Sequence, residues 1–252
     1  IFSIQTVEQF SSEYPNRGET LEDTILTLCE LDTDLIVLRW PEEGAAERAA
    51  RVSSVPIINR GDDKGQHPTQ ATLDVGYIYE VFGRVDGLTI VIGGDLAYGR
   101  TARSLAYMLS KFKDVHIIFV SPPELRMKPD VLNHLHKYHV LFNEHEILEE
   151  VIDLANVVYW TRAQREKVAP EQMPYDDIQR RYCIDAQMMA LMKNDAILMH
   201  PFPRNDEIHP EVDADPRARY FPQIAYGKFM RATLIELSLG ENPHAESFME
   251  TA

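Results

Sequence analysis

The stretch Ala196-Ile197-Leu198-Met199-His200-Pro201-Phe202-Pro203-Arg204 decides the fold, because a short apolar run ends on two prolines that hold a His and an Arg rigidly. Three other apolar runs deliver an arginine in the same way. They are Leu35-Ile36-Val37-Leu38 before Arg39, Thr89-Ile90-Val91-Ile92 before a loop ending in Arg100, and Val157-Val158-Tyr159-Trp160 before Thr161-Arg162. Short, β-branched-rich runs suit parallel strands buried on both faces, and open α/β sheets bind ligands outside the carboxyl ends of their strands. The pattern therefore predicts four guanidiniums converging on one place. Arg stays charged and pairs bidentately with carboxylate and phosphate, so the expected ligand is small and polyanionic.

With 252 residues, 44% of them hydrophobic, the chain can bury a sizeable core as two modest α/β domains or one large one. The net charge of -15 argues against nucleic acid or an anionic membrane as partner, since both demand clustered Lys and Arg. The two cysteines, Cys29 and Cys183, stand in apolar contexts outside any CxxC or Cys/His ligand set, and both are expected to be buried and reduced. No apolar stretch approaches the ~20 residues a membrane span needs, and no signal peptide is evident, so a cytoplasmic location is expected. The chain opens at Ile1 rather than Met, as a sequence lacking its N-terminal part would.

Outward from the quoted stretch, segments alternate between helix and strand patterns, the βαβ rhythm of a parallel sheet. Strands are expected over residues 35–38, 55–59, 88–94, 115–120, 140–142, 157–160 and 196–199. Helices are expected over 18–31, 43–51, 68–82, 99–111, 130–137, 147–154, 185–192 and 228–239. Pro68 sits in the first turn of the 68–82 helix, where a missing N–H costs nothing, and that helix has the length of a bridge. The expected fold is α/β, with two domains, each a parallel sheet flanked by helices, joined by this bridging helix. Residues 1–69, completed by 227–252, make the first domain and 70–226 the second. The last helix, apolar at Phe229, Leu234, Leu237 and Leu239, should return to the first domain to bury that face.

Gln66-His67-Pro68-Thr69-Gln70 lies at a helix start, where unpaired N–H groups and the positive dipole end face an incoming ligand. A His and a Gln there can donate to a carbonyl oxygen that becomes an oxyanion; the bland alternative is a capping His beside a surface Gln. Gly93-Gly94-Asp95-Leu96-Ala97-Tyr98-Gly99-Arg100-Thr101 has a strand–turn–helix pattern, but its glycine spacing fits neither GxGxxG nor GxxxxGK[ST], which discounts dinucleotides and NTPs. Arg100 then stands over the crevice or is a plain surface Arg. His134 and His136, with His139 and His145 nearby, are expected to be solvated helix histidines, because no carboxylate or thiol completes a metal shell at usable spacing. No metal and no cofactor are expected. Without a GxSxG elbow or a Cys/His pair, catalysis would rest on positioning and electrostatics.

Nearly the whole chain resembles the aspartate/ornithine carbamoyltransferase family, in its aspartate branch. The resemblance rests on Val37-Leu38-Arg39-Trp40-Pro41-Glu42-Glu43-Gly44, on Val55-Pro56-Ile57-Ile58-Asn59 through Gly61-Asp62, and on His67-Pro68-Thr69-Gln70. It continues in Gly94-Asp95-Leu96 with Tyr98-Gly99-Arg100-Thr101, in Thr161-Arg162-Ala163-Gln164, and in His200-Pro201-Phe202-Pro203-Arg204 with Asp206-Glu207. The ornithine branch carries a Cys within an HCLP segment where this chain has His200-Pro201-Phe202-Pro203.

The resemblance implies transfer of the carbamoyl group of carbamoyl phosphate to the L-aspartate amine, giving N-carbamoyl-L-aspartate and phosphate, a step of de novo pyrimidine biosynthesis. It implies that Arg39, His67 and Gln70 hold carbamoyl phosphate, with backbone contacts from Pro201 and Phe202, and that Arg100, Arg162 and Gln164 hold aspartate. It also implies a homotrimer with active sites shared between subunits, and regulatory chains in some members. Several positions depart from the family pattern. The Ser-Thr-Arg-Thr phosphate loop does not occur in the sequence, and in the segment 10–18 Arg17 occupies the place of a catalytic Lys, with only a displaced Ser11 or Ser12. Arg60 replaces a small residue, Ala97 a frequent Lys, and Phe202 the usual Leu. These leave two alternatives open: a catalytically weakened homologue serving as a binding or assembly subunit, and a transcarbamoylase for another amino-acid acceptor.

Overall fold

The computed structural model describes residues 3–8, 19–62, 66–162 and 182–240. Two compact units divide the chain: residues 1–69 with 228–252, and residues 70–227.

The first unit holds a three-stranded parallel sheet in the order β1-β2-β3, formed by β1 (Ile4–Glu8), β2 (Leu35–Trp40) and β3 (Ile57–Asp62). Helix α1 (Leu21–Cys29) starts where the Thr20 hydroxyl accepts the Asp23 amide at 3.1 Å, and Glu22 and Asp23 in its first turn suit the positive dipole end. Helix α2 (Ala45–Val52) presents Ala45 and Ala49 inward, both fully buried, so its backbone can approach Ile25 of α1 and Leu38 and Trp40 of β2 closely. Arg48 bridges Glu22 and Glu42 at 2.8 and 2.7 Å on the surface, a contribution of at most about 1 kcal/mol.

The second unit is built on five parallel strands: β4 (Thr89–Gly93), β5 (His116–Val120), β6 (Leu141–His145), β7 (Val157–Trp160) and β8 (Ile197–Met199), in the order β6-β5-β4-β7-β8. Both faces are covered. Ile90, Ile92, Ile117, Phe119, Val157, Tyr159, Ile197 and Met199 enter one core, while Val91, Ile118, Val120, Val158, Trp160 and Leu198 enter the other. That alternation is the period of two along a strand, and it explains why these segments are apolar throughout. Each large side chain so buried stabilises the unit by roughly 1.5–3 kcal/mol. The helices are α3 (Pro68–Phe82), α4 (Arg100–Leu109), α5 (Pro129–Lys137), α6 (Ala186–Leu191) and α7 (Tyr220–Ser238). The chain passes from one unit to the other within α3, after Thr69, and again within α7, after Gly227. Past that point Arg231, Leu234 and Ile235 of α7 join Thr6, Val37, Ile58, Arg60 and Thr69 around a 170 Å³ cavity of the first unit.

Several expectations need correction. Residues 147–154 form two short 3₁₀ turns, Leu148–Glu150 and Ile152–Leu154, instead of one helix, because Val151 between them leaves the helical region at φ -133 and ψ -10. Helix α7 begins at Tyr220, eight residues before the expected start. Pro222 lies in its first turn, where no N–H bond is lost, and the buried Gly227 is tolerated inside it. Strand β1 has no counterpart among the expected elements; its Ile4 is 39% exposed and, among the described residues, β2 is its pairing partner. Cys29 and Cys183 are free thiols but half-buried, Cys29 lying 3.5 Å from the Ser53 hydroxyl. His134 is not merely solvated: its Nε2 meets the Ser110 hydroxyl at 2.8 Å and its ring packs against Tyr107 and Tyr138.

Candidate active site

The strand order β6-β5-β4-β7-β8 reverses direction between β4 and β7, since the chain builds outward from β4 to β6 and then returns to β7 on the other side. Loops leaving the carboxyl ends of two such strands diverge and open a ligand crevice. Arg100, the first residue of α4, follows the β4 loop, and Arg162 follows β7 by two residues. Two of the expected arginines therefore stand at the topological switch point of the second unit, both half-buried.

Thr161 ties the two loops together. Its Oγ1 donates to the Gly93 carbonyl at 2.9 Å and accepts the Asp95 amide at 3.1 Å, while its own amide donates to the Gly93 carbonyl at 2.9 Å. The approach is close enough to require glycine twice. A Cβ on Gly93 would lie 2.1 Å from the Trp160 ring, and one on Gly94, at φ +96, would lie 2.0 Å from the Thr161 carbonyl oxygen. Asp95, fully buried, then accepts the Tyr98 amide at 2.9 Å and shapes the turn that delivers Arg100.

The 200–204 segment leaves β8 as a fixed loop. Phe202 has φ +55, a left-handed conformation uncommon for a bulky residue, and the Phe202-Pro203 peptide is cis. The His200 ring is 1% exposed, and its Nδ1 accepts the Phe202 amide at 2.9 Å. Its Nε2 stands 2.8 Å from Glu207 Oε1, out of line for a regular hydrogen bond. Burial pushes the Glu207 carboxyl up, but His200 and the amides of Glu207 and Asn205 outweigh it, holding the group below the usual carboxylate range. Arg204 corrects the expectation of four converging guanidiniums: it forms a two-point pair with Asp213, one contact being Nη2 to Oδ2 at 3.0 Å, and lies over the Tyr220 and Phe221 rings. Its charge is committed to Asp213 in the 210–214 turn, and the guanidinium face rests on rings at the start of α7.

In the first unit Arg39 is the penultimate residue of β2, half-buried, opposite Glu8 of β1. His67 lies between β3 and α3, so it too follows the carboxyl end of a parallel strand; its Nδ1 is 3.3 Å from the Thr69 hydroxyl. Arg39 and His67 thus belong to the first unit, whereas Gln70, Arg100, Arg162, Pro201 and Phe202 belong to the second. Arg17 and Gln164 lie outside the described residues.

One group went unrecognised in the sequence. Asp74, fully buried on α3, accepts Gln70 Nε2 at 2.9 Å and Gln223 Nε2 at 2.6 Å on Oδ1, and the Tyr159 hydroxyl at 2.8 Å on Oδ2. Gln223 in turn accepts the His200 amide on Oε1 at 3.0 Å. Burial raises the Asp74 carboxyl to about 7 against the lowering effect of its three donors, and burial together with Asp74 pushes the Tyr159 hydroxyl well above its ordinary range. The available signal was a single carboxylate, i+4 from Gln70, in a helix whose neighbouring positions Ala71, Val75 and Ile78 are apolar. Among the described residues no cluster of three or more His, Cys, Asp or Glu is arranged to hold a metal ion. No helix there is long and apolar enough to cross a membrane.

Two α/β units whose cationic and amide side chains follow the carboxyl ends of parallel strands define a class of proteins built around small polyanionic substrates. The chain belongs to the aspartate/ornithine carbamoyltransferase family: residues 2–80 match its carbamoyl-P binding domain and residues 86–238 its Asp/Orn binding domain. It is 46% identical over 239 residues to the chloroplastic aspartate carbamoyltransferase of Arabidopsis thaliana, covering 95% of this chain and 60% of that protein. The chain thus spans about 60% of the length of the first curated relatives it matches. Among solved structures, the catalytic subunit of M. jannaschii aspartate transcarbamoylase superposes with a TM-score of 0.82 at 42% identity, covering 90% of this chain and 72% of that one. The Trypanosoma cruzi aspartate transcarbamoylase in complex with carbamoyl phosphate and aspartate gives 0.80 at 38% identity, covering 91% and 80%.

Proposed function

We propose that this chain catalyses transfer of the carbamoyl group from carbamoyl phosphate to the amine of L-aspartate, giving N-carbamoyl-L-aspartate and phosphate, a step toward pyrimidines. The observation that carries the proposal is the pair Arg100 and Arg162 following the adjacent strands β4 and β7, two permanent positive charges suited to a dicarboxylate acceptor, in a chain of this family. An ornithine acceptor would bring an ammonium side chain against the same two cations.

Arg39 would pair with the phosphate and carbonyl oxygens of carbamoyl phosphate, and His67 would donate to the carbonyl oxygen. Gln70 and the backbone at Pro201 and Phe202 would take the carbamoyl amino group, while Arg100, Arg162 and Gln164 would hold aspartate. The neutral α-amine attacks the carbamoyl carbon, the carbonyl oxygen gains negative charge in the tetrahedral intermediate, and the C–O bond to phosphate breaks with its electron pair leaving on phosphate, which takes up the proton lost by the amine. No covalent bond to the protein is needed, so the rate rests on orientation and on donors already aimed at the oxyanion. A homotrimer, with Arg17 reaching a neighbouring subunit's site, and a cytoplasmic location belong to the same proposal, as do regulatory chains where the full protein carries them. The A. thaliana relative, by contrast, is named as chloroplastic.

The test is formation of N-carbamoyl-L-aspartate and phosphate by the purified full chain from carbamoyl phosphate and L-aspartate, with L-ornithine as the competing acceptor. Turnover with aspartate and none with ornithine is expected. A folded protein that binds phosphate but forms no product would overturn the proposal in favour of a binding or assembly subunit; preference for ornithine would move it to the other branch.

A further inference from the structure

We propose that Asp74 is a positioning residue for the carbamoyl group, turning the Gln70 carboxamide and, through Gln223, fixing the backbone of the 200–203 turn. The proposal deepens the carbamoyl phosphate function proposed above and rests on it.

The geometry is a branched chain of hydrogen bonds with one acceptor at its root. Asp74 Oδ1 takes both glutamine side chains, Gln70 from one turn earlier in α3 and Gln223 from α7. An amide has a donor end and an acceptor end on opposite sides of Cδ. With its Nε2 drawn to Asp74, Gln70 turns its carbonyl away from Asp74, the orientation that accepts a hydrogen bond from a carbamoyl NH₂. Gln223 is oriented by the same oxygen, so its Oε1 is the atom that meets the His200 amide at 3.0 Å. His200 Nδ1 then accepts the Phe202 amide at 2.9 Å, which keeps the backbone of the left-handed Phe202 in place. Tyr159 on β7 completes the coordination through Oδ2 and is the one titratable partner in direct contact among the described residues.

A hydrophobic residue at position 74 would fill a core site at less desolvation cost, yet the position holds a carboxylate that satisfies three donors. A cap or a surface ion pair has no need of that arrangement. The two groups Asp74 orients, Gln70 and the 200–203 backbone, are those to which the carbamoyl amide is assigned, and the arginines assigned to phosphate and aspartate are not among its partners.

The discriminating probe is phosphonoacetamide, which keeps the carboxamide and the anionic phosphorus group but has no transferable bond, set against inorganic phosphate, which has no amide. Both are titrated calorimetrically into the full-length wild type, Asp74→Leu, Asp74→Asn and Gln223→Leu. Asp74→Leu should weaken phosphonoacetamide at least tenfold and leave phosphate within about twofold, because only the amide-reading groups lose their orientation. Asp74→Asn should recover to within about threefold of wild type, since its carbonyl can still accept both glutamine amides while its NH₂ donates to the Tyr159 oxygen. Gln223→Leu, which keeps the Gln70–Asp74 bond, should lose threefold or more.

A folded Asp74→Leu with unchanged phosphonoacetamide affinity, or one in which both probes weaken together, overturns the positioning role. If Asp74→Leu does not fold, a Gln223→Leu protein that binds both probes as wild type does overturns it instead. A wild type that binds phosphate and gains nothing from the amide contradicts the carbamoyl phosphate function, an outcome separate from any difference among the variants.

Discussion

Thr161 Oγ1 donates to the Gly93 carbonyl at 2.9 Å, and this bond locks the loop after β7 to the last residue of β4 at the place where the sheet reverses direction. Because the same oxygen accepts the buried Asp95 amide, one hydroxyl governs both loops that carry Arg100 and Arg162. Thr161→Val conserves the shape, leaves the Asp95 amide without its acceptor, and should destabilise the second unit by about 1–3 kcal/mol. Denaturant unfolding would register that loss; an unchanged midpoint would mean the loops are held by other contacts. Gly94→Ala, which places a methyl on the Thr161 carbonyl at a positive φ, should be the more damaging of the two.

Arg100→Ala and Arg162→Ala are each expected to raise the KM for aspartate strongly while leaving carbamoyl phosphate affinity nearly unchanged. Losing one charge-assisted pair from a desolvated site costs on the order of 2–5 kcal/mol. Initial-rate kinetics with each substrate varied in turn tests this, and equal weakening of both substrates would show that these arginines do not belong to the acceptor.

His67→Ala should lower turnover by roughly 10²–10³ and disturb aspartate binding little, since a donor to the carbonyl oxygen gains strength only as charge develops there. A kcat within about twofold of wild type would reduce His67 to a residue that caps α3 with Thr69.

Asp74 makes stability depend on pH with a definite sign. Its folded value of about 7 lies above the unfolded 3.8, so the native state binds the proton more tightly; its contribution is fully present below pH 3.8 and is lost as pH rises to about 7. At 1.36 kcal/mol per pKa unit the loss is on the order of a few kcal/mol, most of it between pH 5 and pH 8. Wild type should therefore lose stability relative to Asp74→Asn over that interval, with Tyr159 the only other titratable group touching the carboxylate among the described residues. Parallel stability profiles for the two proteins would rule out an ionising Asp74.

The strands and the bridging helix were legible because their signals are local. Runs such as Thr89-Ile90-Val91-Ile92 and Val157-Val158-Tyr159-Trp160 are apolar at every position, which suits a strand covered on both faces, and Pro68 marks the first turn of α3. Strand β1 escaped because Ile4-Gln5-Thr6-Val7-Glu8 is a largely exposed edge with polar residues at three of its positions. The 147–154 segment misled because its composition suits a helix that Val151 interrupts.

The sequence by itself determined which residues carry charge, where the chain turns, and which segments must be buried on both sides, since these follow from side-chain chemistry and from periods of two or 3.6 residues. Arg39, Arg100 and Arg162 were identifiable at strand ends on those grounds. Only the tertiary structure decided the order β6-β5-β4-β7-β8, and with it which two arginines share the switch point. It also decided that Arg204 pairs with Asp213, and that Asp74 is shared by Gln70, Tyr159 at 85 residues' separation and Gln223 at 149. The physical reason is that a buried polar group must find its partners in space, and no periodicity along the chain records which distant donor the closing of the sheet will bring to it.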